Sequence, residues 1–442
     1  MLKTPEKIQD LQRKLYRKAK QEKEYRFYLL YEKVYRLDIL RHAYCLVKAN
    51  KGAPGIDGTT FEAVEKEEGG VEKYLKGIAC ELRNKVYKPM PVRRVYIPKS
   101  DGNKRPLGIP TIKDRTVQMA VKLIIEPVFE ADFQENSYGF RPGKSAHKAM
   151  DDISLQLRTG KLQVIDADIS KYFDSIPHDK LLEQVAKRIV DKHILNLIKM
   201  WLTAPVVEEG GDGKKRYKGS YKGTPQGGVI SPLLANIYLN VLDTIWKLKK
   251  VEEKYGARLI RYADDFVVTC KGGTERVLKG IKTVLGELKL NLNEEKTKIV
   301  DARKESFNFL GFTIIAKKNP KTGKTFPLIR PAKKAIKHIK GEIKRLTCRK
   351  TLAIPKEIIS KNLNEVVRGW TGYFYYGNCS RDLTTLKGFL DERVRTYLRR
   401  KHCKKSRGYR AYPYKYLYGM LGLYKIPTTA PWTQTAKAHG RR

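Results

Sequence analysis

Two short acid-bearing segments constrain the fold of this chain more than any other feature of its sequence. In residues 164–169 (VIDADI), aspartates alternate with apolar residues, so a strand there would place Asp166 and Asp168 on one face. In the second segment (LIRYADDFVV), Asp264 and Asp265 lie between two β-prone runs, the pattern of a hairpin with acids at its tip. The sequence therefore predicts a sheet that carries clustered carboxylates.

These carboxylates predict a metal-dependent reaction. Carboxylates beside apolar strands are unfavourable unless a cation neutralises them, and hard oxygen ligands suit Mg²⁺. In two-metal nucleotidyl transfer, one ion lowers the pKa of an attacking 3′-hydroxyl, and a second ion ~3.5–4 Å away stabilises the leaving pyrophosphate. Asp168 and Asp264 are separated by 96 residues, so the fold has to bring them together. For the adjacent aspartates alone, a polar hairpin turn is the alternative interpretation.

The charge of the chain favours a polyanionic partner. Its 442 residues contain 91 Lys and Arg against 47 Asp and Glu, a net charge of +44. Such an excess is self-repelling, and nucleic acid is the obvious partner to neutralise it; a solvated basic surface is the alternative. Residues 330–442 hold 28 Lys and Arg against 6 Asp and Glu, a net charge of +22. Half of the excess therefore lies in about a quarter of the length.

The hydrophobic pattern predicts an α+β core followed by basic helices. Strand-like and helix-like segments mix without a regular βαβ repeat in the first three quarters of the chain. Residues 5–50 are predicted to be helical, with an N-terminal helix over Pro5–Arg36. The basic C-terminal part is predicted to form helices over 332–347, 356–376 and 383–401.

Cysteine spacing and hydropathy argue against zinc-binding, disulfide-rich, secreted and membrane-spanning classes of protein. None of the six cysteines forms a CxxC pair, which argues against a zinc site or a disulfide framework and favours a reducing compartment. The chain shows no apolar run of signal-peptide or membrane-span length. We expect a cytoplasmic protein without a membrane partner, associated with the nucleoid when it acts on DNA.

The acid-bearing segments resemble those of a known family. Residues 168–174 (DISKYFD) and 262–265 (YADD) resemble two palm motifs of the reverse transcriptases encoded by bacterial group II introns. The resemblance implies Asp168, Asp264 and Asp265 as catalytic metal ligands, with the Ile169 backbone carbonyl as a further ligand. It also implies Phe173 as a steric gate against a ribose 2′-hydroxyl. Asp166 and Asp174 fall outside the ligand positions and are interpreted as structural.

Further matches follow in the order of that family. They are residues 99–111 (KSDGNKRPLGIPT), 137–147 (SYGFRPGKSAH), 223–232 (GTPQGGVISP), 293–298 (NEEKTK) and 309–312 (FLGF). By position, they imply nucleotide contacts from four side chains besides Phe173: Lys99, Arg105, Gln226 and Lys296. A solvated lysine is the alternative for Lys296. The same resemblance makes Arg141 a candidate contact to template or nucleotide.

The C-terminal part resembles the maturase (thumb) domain of the same family through residues 363–374 (LNEVVRGWTGYF). The aromatic and aliphatic side chains there have helical spacing and are interpreted as bundle core. RNA binding is assigned instead to the basic residues, with nucleic-acid contacts predicted for Arg399, Arg400, Lys401, Lys404 and Lys405. We found no HNH-endonuclease pattern of paired cysteines and histidines, so we expect that domain to be absent.

Together these matches imply a right-hand polymerase with a helical extension over 1–50, fingers and palm over 51–325, and an all-α basic thumb over 326–442. The expected function is RNA-directed DNA synthesis with two Mg²⁺ ions, for which Mn²⁺ can substitute, together with binding of intron RNA to assist splicing and retromobility. The expected partners are intron RNA, an RNA template, a DNA or RNA primer and dNTPs.

Two other functions stay open from the sequence. One is a reverse transcriptase used in defence or sequence diversification, against which the maturase-like block argues. The other is a catalytically silent RNA-binding splicing factor, against which the retained Asp168, Asp264 and Asp265 argue.

Overall fold

The computed structural model describes residues 2–98, 104–209 and 215–431. Within these ranges the chain forms sixteen α-helices: α1 Glu6–Gln21, α2 Tyr31–Val34, α3 Leu37–Ala49, α4 Phe61–Lys66, α5 Gly70–Arg83, α6 Ile112–Glu130, α7 Ala146–Arg158, α8 Tyr172–Ser175, α9 His178–Ala186, α10 Lys192–Thr203, α11 Ser231–Leu248, α12 Val251–Tyr255, α13 Thr274–Glu287, α14 Lys333–Leu346, α15 Lys356–Phe374 and α16 Ser380–Lys401. A 3₁₀ turn spans Arg349–Thr351, and a π-helical turn spans Tyr416–Met420.

Eleven strands occur in the same ranges: β1 Val92–Pro98, β2 Lys104–Ile109, β3 Gln163–Asp168, β4 Val206–Glu209, β5 Lys215–Lys218, β6 Arg258–Tyr262, β7 Asp265–Cys270, β8 Lys298–Asp301, β9 Phe307–Phe309, β10 Phe312–Lys318 and β11 Thr325–Pro331. They form three sheets of order β2-β1-β4-β5, β6-β7-β3-β8 and β11-β10-β9. The mixture of helices with separate sheets confirms the predicted α+β class.

Two compact units divide the chain. Unit 1 comprises Met1–Ala149, Ala167–Phe266 and Gly273–Thr297; unit 2 comprises Met150–Asp166, Val267–Gly272 and Lys298–Arg442. The predicted divisions at residues 50 and 325 stay predictions. No helix within the described ranges is long and apolar enough to cross a membrane.

Unit 1 is built around α6, a helix buried on nearly all sides. It begins where the Thr111 hydroxyl accepts a hydrogen bond from the Asp114 backbone nitrogen at 3.1 Å. The buried Asp114 carboxyl group accepts from the Tyr87 hydroxyl at 2.6 Å, so its oxygen is hydrogen-bonded inside the core. Helices α1 and α3 both pack on α6. The N-terminal helices that the sequence predicted therefore cover this central helix.

The prediction of one helix over Pro5–Arg36 is wrong for the residues between α1 and α2. Helix α1 ends at Gln21, and the chain between α1 and α2 is extended where Phe27 forms a parallel bridge with Ile189. The Phe27 backbone nitrogen donates to the Arg188 carbonyl at 2.7 Å. Because Phe27 and Leu30 are buried by this contact, a partner about 160 residues away overrides local helix preference.

Unit 2 contains the three helices that the basic C-terminal sequence predicted, at nearly the predicted bounds. Helices α14, α15 and α16 surround one apolar cluster, to which Val367 and Leu363 contribute from α15. Trp370 and Val366 pack against the same cluster. This confirms the bundle-core prediction for these four side chains, whereas Tyr373 and Phe374 pack their rings against Phe312 of β10. Among the basic residues of α16, Arg395 is buried.

Candidate active site

The predicted acids lie at the ends of neighbouring strands. Asp168 is the last residue of β3, and Asp265 is the first residue of β7, which lies beside β3 in the sheet. Strands β6 and β7 form the predicted hairpin, and Ala263 in its turn adopts a left-handed backbone with φ 59°. Asp265 is exposed, whereas Asp168 and Asp264 are half-buried.

Asp168 is close enough to Asp264 for its carboxylate to affect the pKa of Asp264. Burial raises the pKa of Asp264 above its ordinary value, and the nearby Asp168 carboxylate raises that pKa further. Arg105 and Arg261 act in the opposite direction on the same pKa. The fold has therefore brought together two carboxylates that are 96 residues apart, with the predicted nucleotide ligand Arg105 near them.

Lys296 lies at the same site. Its ammonium group donates to Asp168 Oδ2 at 2.7 Å, although the lysine side chain is 66% exposed. The Asp168 backbone carbonyl accepts from the Asn293 backbone nitrogen at 2.8 Å, which fixes the loop that carries Lys296 beside β3. Lys296 is thus paired with one of the predicted catalytic acids while most of its side chain is exposed, and its nucleotide contact stays a prediction.

A fully buried arginine supports the catalytic turn. Arg261 and Asp243 form an ion pair in which neither side chain has exposed surface, and Arg261 Nε donates to Asp243 Oδ2 at 3.0 Å. Arg261 Nη1 donates to the Ala263 carbonyl at 2.9 Å and to Asn236 Oδ1 at 3.0 Å. The guanidinium therefore holds the backbone immediately before Asp264 in its left-handed turn.

The residues around this ion pair complete its hydrogen bonds. Asn136 Nδ2 donates to Asp243 Oδ1 at 2.8 Å, and Asn236 Nδ2 donates to the Gly139 carbonyl at 2.7 Å. Gly139 lies against the turn so closely that a Cβ there would collide with the Ala263 backbone nitrogen. Sequence reasoning missed this network, although Arg261 within an apolar strand required a buried partner.

The predicted steric gate lies against the glycine-rich segment. The Thr224 backbone nitrogen donates to the Phe173 carbonyl at 2.7 Å, and a Cβ at Gly223 would come within 2.8 Å of the same oxygen. The carbonyl of Gln226 accepts from the Gly108 backbone nitrogen of β2 at 2.6 Å. Phe173 is therefore hydrogen-bonded to the same glycine-rich segment that carries Gln226. Both of these predicted nucleotide-pocket residues are half-buried.

Arg141 does not have the environment expected for a nucleic-acid contact. Its side chain is buried, and Nη2 donates to Glu130 Oε1 at 2.6 Å. Nη1 donates to the Ser137 carbonyl at 2.8 Å. We correct its assignment to a structural one, because its donors are directed at partners within the protein. The predicted contact Lys99 lies outside the described residues.

The oxygen donors of Asp168, Asp264, Asp265 and the Ile169 carbonyl fit a hard divalent cation. The pKa of Asp264 is raised first by burial and then by the Asp168 carboxylate, and a bound cation would favour the ionised form of both acids. Across residues 2–98, 104–209 and 215–431, however, no three His, Cys, Asp or Glu side chains stand close enough together to hold a metal. Instead, the Lys296 ammonium neutralises Asp168.

The predicted RNA-binding cations of unit 2 differ in their surroundings. Lys404 and Lys405 are exposed, and Arg399 and Arg400 are half-buried at the end of α16. Lys401 donates to the carbonyls of Leu352 and Ile354, at 2.6 and 2.9 Å, and so ties α16 to the turn before α15. Lys401 therefore has a structural function within the bundle, which the sequence did not predict.

Comparisons with known proteins cover most of the chain. Residues 97–314 match the family model described as reverse transcriptase (RNA-dependent DNA polymerase), and residues 336–415 match the group II intron, maturase-specific domain. Protein YkfC of Escherichia coli (strain K12) is 36% identical over 349 residues, which cover 71% of this chain and 89% of YkfC.

The group II intron-encoded protein LtrA of Lactococcus lactis subsp. cremoris is 32% identical over 350 residues, which cover 65% of this chain and only 57% of LtrA. A solved structure of telomerase from Candida albicans aligns over 80% of this chain and 71% of that chain at 12% identity, with a TM-score of 0.45, too low to support a functional argument. By its two family models and its coverage of YkfC, this chain belongs to the group II intron-encoded reverse transcriptases, which are RNA-directed DNA polymerases.

Proposed function

We propose that this chain copies RNA into DNA at the site formed by Asp168, Asp264 and Asp265. The observation that supports this site most directly is the proximity of Asp168 to Asp264 at the ends of β3 and the β6–β7 turn, where the Asp168 carboxylate contributes to the raised pKa of Asp264. Reverse transcriptases generally use divalent metal ions. We propose Mg²⁺ here, bound by these carboxylates and the Ile169 carbonyl.

The bound ions would lower the pKa of the primer 3′-hydroxyl and stabilise the charge on the leaving pyrophosphate. The protein supplies the remaining requirements. Arg261 holds the Ala263 carbonyl and thereby fixes the direction of the next residue, Asp264. The exposed Arg105 near Asp264 is suited to bind the triphosphate of a dNTP, because a cation there is favoured by the negative charge of phosphate.

Lys296 has two roles in this proposal. Its ammonium group neutralises the Asp168 carboxylate at 2.7 Å. The exposed end of the same side chain would be suited to donate a proton to the leaving pyrophosphate. Phe173 would exclude the 2′-hydroxyl of a ribonucleotide, and Gln226 would contact the nucleotide or template from the glycine-rich segment.

We further propose that unit 2 binds intron RNA and assists splicing, in keeping with its match to the maturase-specific domain. Its surface supports this function. From Arg393 to the C-terminus the sequence contains no Asp or Glu, whereas Lys404 and Lys405 are exposed. A segment whose charged side chains are all cations attracts phosphates and is poorly suited to bind other basic proteins.

The test of the catalytic proposal is primer extension on an RNA template with dNTPs and Mg²⁺, comparing the unchanged protein with Asp264→Asn. The substitution keeps the size of the side chain and removes the charge that holds a metal, so we expect DNA synthesis to fall roughly a thousandfold or more. RNA binding, measured in parallel, should be unchanged. DNA synthesis that survives Asp264→Asn would refute the site. RNA binding without synthesis by the unchanged protein would favour the catalytically silent splicing factor.

A further inference from the structure

A stack of tyrosine rings and cations lies in unit 2, where the chain after α16 folds back against that helix. Arg395 Cζ is 4.9 Å from the ring centroid of Tyr409 and 4.7 Å from that of Tyr414. Lys387 Nζ is 4.8 Å from the Tyr414 centroid, and the rings of Tyr414 and Tyr418 are parallel within 13° at 6.0 Å. We call these five residues the tyrosine stack.

The cations of the tyrosine stack are fixed by acidic partners. Arg395 is 3% exposed, and its Nη1 donates to Glu392 at 2.9 Å. The almost fully buried Asp391 accepts from the Tyr418 hydroxyl at 2.6 Å and from Lys387 at 3.3 Å. Because their charges are already paired within the protein, Arg395 and Lys387 are poorly placed to bind phosphate. Their effect is to hold the rings in position.

Two rings of the tyrosine stack remain open to solvent. Tyr409 is 51% exposed and Tyr414 is 56% exposed, although both are fixed by the neighbouring cations. A guanidinium covers one face of a ring, so the outer surface of Tyr409 is available for a further planar group. Internal packing explains the cations but does not explain why two large rings are presented to solvent.

The surroundings of these rings identify the chemistry of that planar group. Glu392 of α16 is the acidic partner of the Tyr409 hydroxyl, and the segment after it that carries the rings contains no acidic residue. The exposed side chains of that segment include the cations Lys404, Lys405, Arg407, Arg410 and Lys415. Exposed rings interleaved with exposed cations form the arrangement that binds single-stranded nucleic acid. The bases stack on the rings while the cations neutralise the phosphates.

We infer that the tyrosine stack binds unpaired bases of RNA, with Tyr409 as the stacking ring and Tyr414, whose ring already contacts Arg395, Lys387 and Tyr418, as its exposed neighbour. This inference rests on the proposed RNA-binding function of unit 2 and names the residues and the form of RNA involved. A base inside a duplex has both faces covered by its neighbours and cannot stack on a side chain. The tyrosine stack would therefore distinguish loops, bulges and single strands from helices, which exposed cations alone cannot do.

The test measures binding of the full chain to a short unstructured RNA and to an RNA duplex of the same length. We expect the double substitution Tyr409→Ala with Tyr414→Ala to weaken single-strand binding roughly 5- to 100-fold and to leave duplex binding unchanged. The matched variant Tyr409→Phe with Tyr414→Phe keeps both rings and should bind as the unchanged protein does. Met420→Ala, which removes another exposed side chain nearby (79% exposed), should also have no effect.

Thermal unfolding of each variant shows whether the alanine substitutions disturb the bundle. A crosslinking measurement avoids substitutions altogether: RNA that contains 4-thiouridine, irradiated on the unchanged protein, should attach to Tyr409 or Tyr414. Equal loss of single-strand and duplex binding, no loss of either, or the absence of crosslinks at both tyrosines would overturn the inference. If the unchanged protein binds neither RNA, the RNA-binding function itself fails, which is a distinguishable result.

Discussion

The two units of this protein use charge in opposite ways. In unit 1, a few ionised groups are held by several hydrogen bonds each, as in the pair Arg261–Asp243, which has no exposed surface. In unit 2, many cations such as Lys404 and Lys405 lie on the surface, where each is screened by solvent and salt. We infer that substitutions in the buried Arg261–Asp243 pair have large and specific effects, whereas those of exposed cations such as Lys404 and Lys405 are small and add up.

The largest effect is expected from breaking the buried pair. Arg261→Ala would leave the Asp243 carboxylate buried without its partner, which destabilises a protein by about 3–5 kcal/mol. It would also release the Ala263 carbonyl, so any folded fraction should lose DNA synthesis. The free energy of unfolding in urea and the rate of primer extension are the two measurements.

Arg258→Ala is the matched control, because it removes an arginine from the same strand. The Arg258–Glu252 pair is partly exposed, with side-chain exposures of 24% and 40%, so its loss should change stability by about 1 kcal/mol or less. Similar destabilisation by the two substitutions would refute the contrast between the buried and the surface pair.

The next effect concerns the choice of nucleotide. Phe173→Ala removes the aromatic ring of a residue whose carbonyl is hydrogen-bonded to the Thr224 backbone nitrogen. A ribose 2′-hydroxyl should then fit. We expect incorporation of ribonucleotides relative to deoxynucleotides to rise roughly 10- to 100-fold, the range that steric pockets achieve. Single-nucleotide extension with each substrate measures this ratio. Phe173→Tyr keeps a ring at this position, and an equal rise in that variant would contradict the steric explanation.

Smaller effects are expected from the surface cations of unit 2. Lys404→Gln combined with Lys405→Gln should weaken RNA binding and reduce the salt dependence of the binding constant. The expected reduction is about 0.9 in logarithmic slope for each lost duplex phosphate contact. Titrations at several salt concentrations measure this slope. Lys401→Gln is the informative control, since Lys401 is bonded to two carbonyls. It should lower the unfolding temperature and leave the slope unchanged.

The difference between the units also explains what could be predicted from sequence. The acids of the active site were predictable because Asp168 and Asp264 stand in motifs whose local pattern fixes strand and turn. The helices of unit 2 were predictable from apolar periodicity. The structural role of Arg141 was not predictable, because it depends on the ion pair with Glu130. The break in the N-terminal helix depends on contacts with Ile189, which no local pattern reveals.

The sequence did not predict the hydrogen-bond network of Arg261 or the tyrosine stack, for a related reason. Each requires contacts between different elements: Asn136 and Asp243 are 107 residues apart, and Tyr409 meets Arg395 only because the chain folds back after α16. Local patterns did contain partial signals. Arg261 interrupts an apolar strand and Asp243 interrupts an apolar helix, so two buried charges of opposite sign were there to be paired.

The smallest expected effect links the active site to stability. Burial and the Asp168 carboxylate raise the pKa of Asp264, so the folded state binds a proton at Asp264 more tightly than the unfolded state does. The stability that this group contributes is present below its unfolded pKa and is lost as pH rises through its folded pKa. At neutral pH, without metal, the ionised Asp264 therefore destabilises the fold slightly.

Asp264→Asn should consequently raise the unfolding temperature of the metal-free protein at neutral pH, while it abolishes DNA synthesis. The advantage should disappear as the pH falls below the unfolded pKa of Asp264, because both proteins are then neutral at this position. Thermal unfolding in a chelating buffer across this pH range measures the difference. Mg²⁺ should stabilise only the unchanged protein. A variant that is less stable than the unchanged protein at neutral pH would show that burial and the Asp168 carboxylate do not raise the pKa of Asp264 in the folded state.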